Sequence, residues 1–252
     1  MAQSGNGRIR LFNDFAGLNN TVSLSVDLGQ AGDFYCGGEG FEDNDAGLAS
    51  KDGLSGVVTL TSANADTDTT FIGTRIMFDV ALMAPLTLET RIQIPDFDTK
   101  EIFFGLTSVL AIDEQLEDIV QNASGTTVTL PADLVGFYLS DEISADDEAW
   151  HGIHSGGTTA ASTTVAGVCL GGTGDATSVG PDVNDWQILR LEVASDGTTT
   201  WWVDGVLYQT VTAACSTTTN LAACLAVAAN TTEFVIMDCD YIEVTANRDW
   251  TV

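Results

Sequence analysis

Alternation with a period of two dominates this chain, and that is the period of a pleated strand with one face buried. From residue 86 to 94, Leu86, Leu88, Ile92 and Ile94 fall on one side, and Thr87, Glu89, Arg91 and Gln93 on the other. The run TVSLSVDL repeats the pattern with Val22, Leu24, Val26 and Leu28 inward. Asp196-Gly197 and Asp204-Gly205 stand between apolar, β-rich runs. Such pairs accept the positive φ of tight hairpin turns, so QILRLEVAS, TTTWWV and VLYQTVT predict an antiparallel meander. Further strands are expected at 8–12, 56–62, 75–80, 101–109 and 134–140, with a fully buried one over 221–229. A last strand, DCDYIEVTA, sets Cys239, Tyr241 and Glu243 opposite Asp240, Ile242 and Val244. Helical spacing occurs once, at Ile112, Leu116 and Ile119, enough for a turn or two on a loop. Short strands with Gly, Asn and Asp at their turns predict an all-β, single-domain sandwich or jelly roll. Residues 31–252 would form the sandwich, and residues 1–30 either an extended N-terminal arm or its first strands.

Composition narrows what such a sandwich does. Acids number 36 and bases 8 in 252 residues, for a formal charge of −28. Eight scattered bases draw no stripe able to displace phosphate counterions, which argues against nucleic acid and against an anionic membrane surface. With hydrophobic residues at 44%, disorder is excluded as well. The opening MAQSGNGRIRLF has no apolar core of a secretory signal, so the expectation is synthesis in the cytoplasm. Five cysteines (Cys36, Cys169, Cys215, Cys224, Cys239) include no CxxC pair, so buried thiols are expected rather than a disulfide framework. Cys215 and Cys224 flank a polar tract and remain the one pair a hairpin would bring together.

Four segments resemble the concanavalin A-like (laminin-G-like) jelly roll: LTLETRIQI from Leu86, IFFGLT from Ile102, VGFYL from Val135, and WQILRLEVASDG from Trp186 leading to WVDGVL from Trp202. The front half, with GEGFEDNDAG from Gly38 and GVVTLTSANADTD from Gly56, is similar to tailed-phage virion proteins of that type. That resemblance implies a decoration or cement protein on the capsid exterior, bound to the major capsid protein, forming a dimer or trimer and performing no catalysis. On that view Arg8 and Arg10 would lie on the coat or on a neighbouring subunit. A carbohydrate-binding, lectin-like module is the alternative, and a glycoside hydrolase ranks below it.

Candidate chemistry is sparse. A retaining glycosidase needs two carboxyl groups across one strand face. The nearest run, Asp141 to Glu148, lacks that interval, although Glu142 and Glu148 would be its residues and Trp150 a stacking ring. No cofactor is implied, and calcium is the one ion the loop acids invite, with Asp66 and Asp68 as its ligands. His151 and His154 are three apart, so on a strand they point to opposite faces and cannot share a metal. Trp201 and Trp202 are neighbours, so one ring enters the core and the other faces out as a contact for protein or glycan.

Overall fold

The computed structural model describes residues 7–17, 29–43, 45–51, 56–122, 125–143, 148–164, 168–172 and 178–249. In chain order the strands are β1 (Arg8–Asn13), β2 (Gly29–Ala31), β3 (Phe34–Gly37), β4 (Gly47–Lys51), β5 (Val57–Thr61), β6 (Thr69–Gly73), β7 (Leu86–Gln93), β8 (Lys100–Thr107) and β9 (Gln121–Asn122). They continue as β10 (Val128–Thr129), β11 (Leu134–Ser140), β12 (His151–Ser155), β13 (Trp186–Val193), β14 (Thr199–Val203), β15 (Val206–Val211), β16 (Ala222–Ala229) and β17 (Ile236–Asn247). Two large antiparallel sheets result. The first runs β15-β14-β13-β7-β17-β5-β4, with β1 beside the second half of β17, and the other runs β12-β11-β8-β16-β6-β3-β2.

Alternation explains how they stack. Leu86, Leu88 and Ile92 of β7, Leu189, Leu191 and Val193 of β13, and Ile102, Phe104 and Leu106 of β8 all enter one buried cluster between the sheets. Trp201 joins them, fully buried, its Nε1–H donating to the Gly136 carbonyl across the core at 2.8 Å. The expected meander is present, with Asp204 and Gly205 at φ 50° and 78° turning β14 into β15. The alanine-rich stretch of β16 is buried along its whole length, as a central strand covered on both faces must be.

That double cover distinguishes the two sheets. Phe103 and Tyr138 point away from the inter-sheet core, yet they are buried beneath Leu116, Ile119, Val120, Val128 and Ile143 from the loops that follow β8 and β11. The second sheet therefore has its outer face sealed by a smaller apolar cluster. The first sheet carries no such cluster on its outer face among the described residues.

Two expectations are corrected, and a third, the short helical turn after residue 112, is met. Residues 75–80 form no strand: only Phe78 bridges, to Leu221, because Asp79 accepts from the Leu82 amide at 3.2 Å and starts the short helix α1 (Val80–Met83). The helical spacing at 112–120 yields one 3₁₀ turn at Leu116–Asp118, with Leu116 and Ile119 buried and Ile112 exposed. In β17 a bulge at Asp240 adds one residue against β7, where Cys239 faces Ile92 and Tyr241 faces Arg91. The extra residue resets the alternation, so Cys239 is buried on the same side as Ile242 and Val244. The run 21–28 lies outside the described residues.

Candidate functional site: the open face of the first sheet

Where one face of a strand is core, the other half of its alternation is surface. Register lines those surface positions up. Phe12 of β1 lies opposite Glu243 of β17, Glu243 opposite Glu89 of β7, Glu89 opposite Arg190 of β13, and Arg190 opposite Trp202 of β14. At about 4.8 Å per strand this row spans about 19 Å. The neighbouring row places Tyr241 opposite Arg91, with Trp186 two register pairs further along β13, opposite Gln93.

Its members are tied to one another. Arg10 grips Glu243 with two donors, Nε at 2.6 Å and Nη2 at 3.3 Å, and its guanidinium lies 4.9 Å over the Phe12 ring. The Tyr241 hydroxyl donates to Glu89 Oε1 at 2.8 Å, and the Phe12 and Tyr241 rings are 6.2 Å apart. Arg91 pairs with Asp240 at 2.7 Å and lies 4.8 Å over the Trp186 ring. Arg190 reaches Glu89 at 3.7 Å and also pairs with Glu192. Trp202, partly exposed, donates its Nε1–H to Thr200 Oγ1 at 2.9 Å. The result is a pleated surface of rings, guanidinium planes and carboxylates, each side chain held in orientation by another.

Three residues that the sequence marks as contacts, Arg8, Arg10 and Trp202, meet on this face. Trp201 does not: at 0% exposure it is a core residue, because the pleat sends it to the opposite side from Trp202. Phe12, Tyr241, Trp186, Arg91 and Arg190 complete the face. Sequence reasoning misses these five as contacts, and of them it places only Arg91 on the outward side of its strand.

The loop-covered side holds a second feature. Glu101 of β8 is buried beside Tyr138 and Ser140 of β11, whose hydroxyls donate to its Oε1 at 2.7 and 3.1 Å. Burial pushes its carboxyl up to about 7; the two hydroxyl bonds pull the other way, and Glu142 and Glu117 push it further up. It lines a pocket of about 100 Å³ together with Asp66, Glu117, Glu142 and Asn230. Two of the expected site residues, Asp66 and Glu142, thus come together around an acid that sequence did not identify. Glu148 is exposed and does not line the pocket. The pocket has room for a few waters rather than a sugar ring.

The remaining candidates are structural. Asp68 is buried and accepts from the Ala65 amide at 2.7 Å, closing its own turn. Among the described residues no group of three or more His, Cys, Asp or Glu side chains is placed to hold a metal. His151 and His154 do point to opposite faces, lying opposite Tyr138 and Val135, and both are buried rather than on the surface. Trp150 is core, donating to Gln187 at 2.5 Å. None of the five cysteines forms a disulfide.

No protein-family model matches the chain, and no curated protein does. Solved structures do. A protein of unknown function, SO2946 from Shewanella oneidensis MR-1, superposes with a TM-score of 0.57 at 13% identity, over 100% of this chain and 91% of that one. A Bacillus licheniformis β-glucanase gives 0.53 at 10% identity, over 96% and 99%. A point mutant of the Emp46p carbohydrate recognition domain gives 0.50 at 10% identity, over 81% and 88%. What is shared is the architecture, a concanavalin A-like jelly roll. The expectation that such a sandwich acts by adhesion without catalysis is corrected here, since the same fold carries a β-glucanase. Nothing among these three structures points to a capsid decoration protein.

Proposed function

We propose that this chain is a carbohydrate-directed jelly roll that holds a saccharide across the open face of its first sheet. The observation that carries the reading is the row from Phe12 through Glu243, Glu89 and Arg190 to Trp202. A pyranose has C–H faces that pack on rings and guanidinium planes, and a rim of hydroxyls that donate to carboxylates and accept from arginine. Here both kinds of partner alternate on one surface left uncovered among the described residues, and their mutual bonds fix them before a ligand arrives, so little side-chain entropy remains to be lost on binding. The similarity to a β-glucanase and to a carbohydrate recognition domain supports the same substrate class. Titrating the chain with soluble neutral and acidic oligosaccharides, followed by calorimetry and tryptophan emission, tests it. A saturable response that W202A and R190A each weaken at least tenfold is expected. A flat response across the set, or full affinity in W202A, overturns the reading.

A further inference from the structure

One end of the open face deepens into a cleft of about 470 Å³ between β1, the end of β17 and the start of β7, lined by Arg8, Arg10, Pro85, Thr87, Thr245 and Asn247. That volume lies within the range of small-molecule sites. Three guanidinia of this face are already neutralised: Arg10 by Glu243, Arg91 by Asp240, and Arg190 by Glu89 and Glu192. Arg8 differs. It is exposed, lies opposite Asn247, and makes no ion pair among the described residues. The nearby Glu243 is taken up by Arg10, and Asp249 is engaged in an interaction of its own. Arg75 and Arg248 make no ion pair among the described residues either, but of the two bases that line this cleft Arg8 is the one left without a carboxylate, so its charge is open to a ligand. Asn247 spends its Nδ2 on the Ala84 carbonyl at 2.7 Å, which fixes the amide and leaves its Oδ1 as an acceptor. Thr87 and Thr245 face each other across the β7–β17 pair.

We infer that this cleft is a subsite for an acidic saccharide: Arg8 takes the carboxylate or sulfate, Asn247 and the two threonines take ring hydroxyls, and Pro85 packs on the sugar's apolar face. The inference rests on the glycan reading above and narrows it to a substrate class. Screening confines the long-range repulsion of the −28 total: beyond about 8 Å at physiological salt, distant carboxylates weigh little. The forked guanidinium then decides selectivity.

The test is calorimetry of the whole chain with a 1,4-linked oligouronate, a neutral 1,4-linked oligoglucose of equal length, a sulfated monosaccharide and inorganic sulfate. The acidic oligomer is expected to bind at least about tenfold tighter than the neutral one, the worth of one charge-assisted pair. In R8A that ratio should fall to about one, and R8K, which keeps the charge but not the fork, should retain part of it. Binding of both oligomers with equal affinity overturns the acidic subsite and leaves the glycan reading standing. Failure of every saccharide overturns both. Inorganic sulfate binding as tightly as the sulfated sugar reduces the cleft to a plain anion site and also overturns the inference.

Discussion

Replacing Glu101 with glutamine isolates one buried proton. In the folded chain the carboxyl has its midpoint near 7, against 4.5 for the free side chain, with burial as the main cause. A difference of that size corresponds to about 3 kcal/mol between the protonated and ionised forms. The sign follows from which state holds the proton. Below pH 4.5 both folded and unfolded chains keep Glu101 neutral and it costs nothing. Between about 4.5 and 7 the unfolded chain releases the proton while the folded chain retains it, so this group lowers stability progressively as pH rises. Above 7 the folded chain ionises too, and the full penalty remains. The amide in E101Q would keep an acceptor for the Tyr138 and Ser140 hydroxyls and never ionise. Urea unfolding of both proteins at pH 4.5 and pH 8 should give near-equal stability at the lower value. At the higher one E101Q should be more stable by about 3 kcal/mol. A gap that stays the same at both values would refute the claim that a buried ionisation, rather than packing, sets the cost.

Other expectations concern packing and access. Gly105 and Gly136 lie opposite each other between β8 and β11, and a Cβ on Gly136 would stand 2.5 Å from the Phe104 carbonyl oxygen. G136A should therefore lose more than about 2 kcal/mol in chemical denaturation, because the two backbones must part. Trp201→Ala should cost about 3–5 kcal/mol by the same measurement, whereas Trp202→Ala, on the outer face, should cost under about 1 kcal/mol while weakening glycan binding. A thiol reagent should label Cys169 in the native protein and reach Cys36, Cys215, Cys224 and Cys239 only after unfolding, since those four are buried and burial pushes the thiols of Cys36, Cys215 and Cys239 up to about 12.

Much of the sandwich is legible because its strands obey short-range rules. The inward set Leu86, Leu88 and Ile92 and the two Asp-Gly turns each encode their outcome within a few residues. The open face is legible in principle, as the complementary set of the same alternation, yet only Arg8, Arg10 and Trp202 stand out there. The neighbours Phe12, Glu243, Glu89 and Arg190 become a row only through registers that bring the two ends of the chain side by side. Glu101 is hidden for a different reason. A charged residue opening an apolar strand reads as an exposed end; the pocket it lines is closed in part by Leu116, which arrives from a later loop. The Asp240 bulge is invisible because one inserted residue leaves the composition of DCDYIEVTA unchanged.

The central position of β17 in the first sheet has a bearing on how the molecule is assembled in time. Until that segment has been synthesised, the β4–β5 hairpin and the β7–β13–β14–β15 group have nothing to join them, and β1 has no neighbour at all. A nascent chain paused before residue 236 would expose two incomplete sheet fragments with open edges, prone to capture by chaperones or by each other. Chains that still lack residues 236–247 should therefore stay protease-sensitive and become resistant in a single step once that strand is in place.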